Sequence, residues 1–459
     1  MLIARAELLG GRIADVRVTD GRIAAIGRID PEPGEAVVEA NGDLLLPGLH
    51  DHHMHVAALA ASLTSVRCGP PEVEDLDAFA SALRVPGEGW LRATGYHESI
   101  AGMLDAATLD RIVSDRPVRV QHRSGRMWFL NSAALDELLA TRDPPPGMEQ
   151  IGGRYTGRLF DEDLWLKQAL GNVPPSFAPI GAMLARAGVT GLTEMSPAND
   201  SMIARHFVRE ALPQKILLAG SPSLSRLDMT EKVRLGPAKL HLHEADLPPF
   251  EDAVEFVRHA HAQARNLAVH CATEVELVFA LAAIDAAGAE PGDRIEHASV
   301  APDSAVTEIA RLGLAVVTQP HFIVERGDTY RSEVEIRIQP VLYRLRAFLD
   351  VGVPLAGGSD APFGGVDPWQ AMAAAVSRRT RSGAVIGSEE ALTPEEALDL
   401  YLKDPEALGR RRYIRVGASA DLCLLDRPWS KARENLASVQ VRKSWVNGGP
   451  IFDGVDEAP

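Results

Sequence analysis

Pro47-Gly48-Leu49-His50-Asp51-His52-His53-Met54-His55 follows the apolar run Leu44-Leu45-Leu46. Four histidines fall in the six positions from 50 to 55. Residues two apart on an extended chain point the same way, so His53 and His55 share a face and can hold one metal ion through their ring nitrogens. His50 and His52 face the other way. The competing reading is a cluster of solvated or core histidines in a loop, and the rest of the chain bears on the choice.

Downstream, short apolar runs alternate with amphipathic helical stretches, the pattern of βα units. Strands are expected near 43–48, 117–122, 189–194, 238–243, 267–270, 294–297, 314–318 and 353–357. Eight such units close a (β/α)8 barrel. His270 follows Lys239 by 31 residues and His297 follows His270 by 27, one unit each; Asp360 follows His297 by 63, two units. Lys239, His270, His297 and Asp360 therefore fall at the ends of strands 4, 5, 6 and 8. Barrels present their catalytic residues from that carboxyl face. A lone histidine of this kind is more often a hydrogen-bonded core residue; several in register are not so explained.

Both ends of the chain read as short strands divided by turns such as Asp20-Gly21 and Asn447-Gly448-Gly449. The expected architecture is α/β: a (β/α)8 barrel over 48–408, and a small β-sandwich composed of 1–47 and 409–459. Segments near 57–116 and 136–177 exceed one crossover helix and are expected as insertions at the catalytic mouth, able to act as a lid. The last residues, 456–459, read as a frayed tail.

Composition narrows the function. The 47 basic and 63 acidic residues give a formal charge of −16, which argues against nucleic acid as a partner. Cys68, Cys271 and Cys423 are scattered and odd in number, which disfavours a disulfide framework. The first residues lack the apolar core of a signal peptide and no stretch is long enough to span a membrane, so a cytoplasmic enzyme with a small-molecule substrate is expected. A homodimer is compatible with this.

The chain resembles the amidohydrolase superfamily, and within it the family 3 branch that contains N-substituted formamide deformylase. The likeness rests on Pro47–His55, Arg116-Pro117-Val118 with Asn131-Ser132-Ala133-Ala134-Leu135, and Gly188-Val189-Thr190. It continues through Val269-His270, Arg294–Ala298, Ser359-Asp360-Ala361-Pro362 and Ala420-Asp421-Leu422. The resemblance implies two divalent metal ions, zinc first, with iron or manganese as alternatives. His53 and His55 would bind one, His270 and His297 the other. Lys239 would carry a CO2-derived carbamate and bridge both. Asp360 would coordinate the first ion and accept a proton from the bridging water. That water, as hydroxide, would attack the substrate carbonyl, and Asp360 would return the proton to the departing nitrogen. A plain ammonium would repel a dication, whereas a buried neutral lysine can add CO2 and become an anionic ligand.

Other readings stay open at this point. His241 and His243 form a second His-x-His on the strand of Lys239 and offer an alternative metal source. Glu194 ends a strand at the barrel mouth and fits a partner of the ligands better than a ligand. Arg126 stands where the branch usually carries histidine. Its guanidinium can clamp a substrate carboxylate bidentately or pair with acidic surroundings. Trp128 is expected as an apolar wall, and His97 and His321 as further substrate contacts. The leading function is hydrolysis of an amide-type C–N bond, with N-formyl or N-acyl amines first. The alternatives are a deaminase or cyclic amide hydrolase on the same barrel, and a non-catalytic paralogue.

Overall fold

A computed structural model of the chain describes residues 1–70, 72–171, 176–210, 212–224 and 229–454. The segment 456–459, expected as a frayed tail, lies outside the described residues. The chain divides into two compact units, one made of 1–56 with 177 onward, the other of 57–176.

The first unit contains an eight-stranded parallel sheet. In chain order its strands are Leu49–Met54, Val189–Glu194, Lys215–Gly220, Val233–His241, Leu267–Cys271, Arg294–His297, Ala315–Thr318 and Leu355–Gly357, each hydrogen-bonded to the next. Beyond the last strand, the Asp360 N–H donates to the His53 carbonyl at 2.7 Å and the His55 N–H to the Ala361 carbonyl at 2.8 Å. These bonds draw the two edges together into a nearly closed barrel. Strands such as Leu267-Ala268-Val269 are apolar on both faces because helices cover the sheet. One of these, Glu274–Ala287, starts at a capping box in which Thr273 and Glu276 satisfy each other's backbone N–H groups.

Three strands differ from the sequence-based expectation. Leu45–Pro47 pairs with Leu422–Leu425, and the barrel strand begins only at Leu49. Gly48 marks the break, where a Cβ would lie 2.2 Å from the Thr190 side chain. Val118–His122 is not the second barrel strand, which is Val189–Glu194; it pairs with Leu91–Tyr96 and Met127–Leu130 in the other unit. Lys215–Gly220, the third barrel strand, had no counterpart in the expected set. Its short run Ile-Leu-Leu-Ala cannot be told from buried helix by periodicity.

The second unit, 57–176, holds a six-stranded mixed sheet in the order Met148–Ile151, Arg154–Phe160, Met127–Leu130, Val118–His122, Leu91–Tyr96, Val66–Arg67. Period-two alternation gives it two apolar faces: Val118, Val120 and Phe129 pack with Phe79 and Leu83, while Trp128 and Leu130 pack with Leu135, Leu138 and Leu159. The expected insertions near 57–116 and 136–177 are thus parts of one continuous unit that also includes 117–135.

At the chain ends, Leu2–Leu8, Arg12–Thr19, Arg22–Gly27 and Val37–Glu39 form one four-stranded sheet. Leu45–Pro47, Leu422–Leu425, Val441–Val446 and Gly449–Asp453 form another. The Asp20-Gly21 turn has φ of 49° and 73°, the left-handed pair that a tight hairpin requires. Ile3, Val16, Val18 and Ile23 share one apolar cluster with Leu45, Leu422, Leu424 and Trp445. Among the described residues no helix is long and apolar enough to cross a membrane.

Candidate metal centre

The carboxyl ends of the barrel strands bring His53, His55, Lys239, His270, His297 and Asp360 together. His53 Nε2 and His55 Nε2 lie 3.4 and 3.2 Å from Asp360 Oδ1. Among the described residues these three form the one His/Cys/Asp/Glu group whose ligand atoms all lie within 4.8 Å of one another. The His297 ring is 4.7 Å from that of His53 and 4.5 Å from that of His270, centroid to centroid. Lys239 is buried, and its Nζ has no hydrogen-bond partner among the described residues.

Strand register explains the meeting. Lys239 pairs with Ala268 and His241 with His270, while Cys271 pairs with His297, so ligand-bearing strand ends lie side by side. His297 and Asp360 sit at φ of 71° and 53°, left-handed conformations uncommon for side-chain-bearing residues. Each costs about 1–3 kcal/mol, and such strain collects at functional sites. The surrounding bonds hold it: the His297 carbonyl accepts from Thr318 Oγ1 at 2.9 Å, and Asp360 is fixed to His53 as described. Gly358 lets strand 8 approach strand 1, since a Cβ there would lie 2.6 Å from the backbone nitrogen of His53.

The electrostatics suit cation binding. Burial pushes the imidazoles of His53, His270 and His297 below their ordinary range, leaving them neutral with lone pairs to offer. Burial also pulls the Lys239 amine down to about 8. For Asp360 burial favours the neutral acid, but its hydrogen bond with His55 and the neighbouring His297 and His53 rings outweigh this, so the carboxyl stays below its usual range. Four imidazoles and a carboxylate are donors that a divalent transition metal accepts. The orphaned Lys239 Nζ fits beside a dication only once it is neutral or converted to an anion.

Several supporting residues were not singled out from the sequence. Three of the candidate ligand rings have their second nitrogen engaged: His53 Nδ1 is 2.5 Å from Glu296 Oε2, His55 Nδ1 is 3.0 Å from Ser196 Oγ, and His297 Nδ1 is 2.9 Å from Gln319 Oε1. The Asp51 carboxylate accepts from the N–H groups of His53 and Ser359, both at 3.0 Å, tying strand 1 to the segment before Asp360. The available signal was a charged residue inside a buried strand, Glu296 in Arg-Ile-Glu-His and Asp51 among the histidines.

Glu194 ends the second barrel strand, not the third, and accepts from the N–H groups of Val56 at 2.5 Å and Ser196 at 3.0 Å. It braces the chain just after His55. The His241 ring stacks on His270 at 4.5 Å, while His243 accepts from the Ala245 N–H. Both are exposed. His321 is buried beside the site, its Nε2 3.0 Å from the Ser359 carbonyl. The remaining expected substrate contacts lie in unit 57–176. There the His97 ring stacks at 6.0 Å on His122. Arg126 is exposed and holds Asp161 with both arms at 2.7 and 2.8 Å. Trp128 is 4% exposed and donates to Asp163 at 2.9 Å.

Residues 36–452 match the amidohydrolase family. The chain is 27% identical over 510 aligned positions to the N-substituted formamide deformylase of Arthrobacter pascens, with 94% of each chain covered. Its fold is similar to that of an uncharacterized metal-dependent hydrolase from Pyrococcus horikoshii, at a TM-score of 0.77 and 19% identity, covering 93% of this chain and 97% of that one. A second such hydrolase, from Pyrococcus furiosus, superposes at 0.73 with 21% identity, covering 93% and 98%.

Proposed function

The chain belongs to the amidohydrolase family of metal-dependent hydrolases, and on that premise we propose that it cleaves an amide-type C–N bond of a small molecule, with N-formyl and N-acyl amines as the first substrates to test. The observation that carries this is the convergence of His53, His55 and Asp360 within 4.8 Å, beside a buried lysine amine that has no hydrogen-bond partner among the described residues. Likeness to a relative named as a formamide deformylase supports the choice of substrate class.

In this reading His53, His55 and Asp360 would hold one divalent ion and His270 and His297 a second, and Lys239, once carboxylated, would supply a further anionic ligand. Zinc is the first metal to test, before iron or manganese. When bound, such ions supply Lewis acidity, lowering the pKa of water and polarising a carbonyl. Asp360 accepts the proton of the attacking water and hands it to the leaving nitrogen, for which its anionic resting state is the right one. The imidazoles of His53 and His297 keep their lone pairs on the site side because Glu296 and Gln319 engage the opposite nitrogens, and Ser196 engages the opposite nitrogen of His55. His321 remains a proposed substrate contact. Within its own unit, Arg126 would take a carboxylate ligand only by releasing Asp161.

The test is a screen of N-formyl, N-acyl, carbamate, cyclic amide and aminoheterocycle compounds on metal-loaded protein. Release of free amine from N-formyl or N-acyl compounds is expected. Ammonia release from aminoheterocycles, with every amide left intact, would move the chain to the deaminases.

We further propose that 1–47 and 409–459 make one composite β-sandwich. Deleting Arg415–Pro459 removes Leu422, Leu424 and Trp445 from the shared cluster, each buried side chain being worth about 1.5–3 kcal/mol. That sum approaches the whole stability of a domain, so the truncated chain is expected in the insoluble fraction. Soluble, active truncated protein would show that the two ends are independent.

A further inference from the structure

Resting on the metal-dependent reading above, we infer that Glu296, held by Arg294, is a positioning residue that fixes the tautomer and orientation of His53 as a metal ligand. Glu296 is fully buried on the strand that ends in His297. Its Oε2 lies 2.5 Å from His53 Nδ1, and its Oε1 accepts from Arg294 Nε at 2.6 Å. A carboxylate has only acceptors to offer. His53 Nδ1 therefore carries the hydrogen, and Nε2 turns its lone pair towards the side of the ring where Asp360 lies, 3.4 Å away.

Arg294 fixes the carboxylate in turn. It stands two residues before Glu296 on the same strand, so the two side chains share a face. Its Nη2 donates to the His52 carbonyl at 3.3 Å, which links strand 6 to the strand that bears His53. The chain of contacts thus runs from the backbone beside His53, through a guanidinium and a carboxylate, back to the His53 ring. The other rings are anchored by neutral groups, His55 by the Ser196 hydroxyl and His297 by the Gln319 amide. A charge-assisted bond is roughly twice as strong as a neutral one. His53 is accordingly the most rigidly presented ligand, and the one whose partner matters most to metal affinity.

An ion pair buried in a barrel can instead serve packing alone. Packing would show in stability and leave the metal affinity of folded protein unchanged. The discriminating experiment strips the full-length protein of metal and titrates it with Zn2+ against a chromophoric chelator. Glu296→Gln keeps the size of the side chain and is expected to bind Zn2+ about 10–100-fold more weakly than wild type. Ser196→Ala, which removes the neutral partner of His55, is expected to cost less. Wild-type affinity in folded Glu296→Gln protein overturns the inference. Should that variant fail to fold, Arg294→Lys takes its place, since it keeps a positive charge near the carboxylate but loses the forked grip. Weaker Zn2+ binding by Arg294→Lys supports the role and unchanged binding overturns it. Wild-type protein that binds no Zn2+ would overturn the metal-dependent reading as well, whereas tight binding by wild type and Glu296→Gln alike removes only the role of Glu296.

Discussion

Lys239→Ala is expected to lose metal and activity together while remaining folded. The amine is buried, surrounded by the imidazoles and by Asp360, and lacks a hydrogen-bond partner among the described residues. With its pKa drawn down to about 8 by burial, a substantial fraction is neutral in mildly alkaline solution, the form that adds CO2. The carbamate so formed would be an anion placed between two dications, where it offsets their repulsion. Alanine supplies no such group, and the other titratable residues at that strand's end, His241 and His243, are neutral donors at best and exposed. Short-chain carboxylates added in solution are expected to restore part of both metal content and turnover by occupying the vacated space. A Lys239→Ala protein with full metal content and wild-type turnover would remove Lys239 from the centre.

Asp360→Asn is expected to keep the fold and most of the metal, yet to lower kcat by roughly 10²–10⁴, the usual worth of a positioned general acid–base group. An amide oxygen can still coordinate, but it can neither accept a proton from water nor return one to nitrogen. The left-handed backbone at φ of 53° is no obstacle, since asparagine tolerates that region at least as well as aspartate. Steady-state kinetics beside metal analysis of the same preparation separates the two roles. Near wild-type kcat in the Asn variant would assign the proton transfer to another group.

Much of the candidate site was legible before the fold, because parallel βα units repeat at about 30 residues and barrels present catalytic residues at strand ends. That regularity placed Lys239, His270, His297 and Asp360 at the ends of strands 4, 5, 6 and 8. The failures have physical causes. Leu49–Met54 is a buried strand whose sequence, Leu-His-Asp-His-His-Met, is too polar to look like one, so the expected strand slid back to the apolar residues before Gly48. Val118–His122 alternates like any strand, and alternation does not say which sheet a strand joins. Lys215–Gly220 is too short and too rich in Leu and Ala to announce extended structure. Glu296 stands directly before His297, but its role became visible only when strand 6 met strand 1 and brought its carboxylate to the His53 ring. Pairings across 243 residues of chain are not written in local pattern.

Metal analysis by plasma mass spectrometry, on full-length protein loaded with Zn2+ and bicarbonate and then freed of loose ions, tests the binuclear centre most directly. Two equivalents per chain are expected, falling together in Lys239→Ala. One equivalent or none in the wild-type protein would contradict a centre built from His53, His55, Lys239, His270, His297 and Asp360.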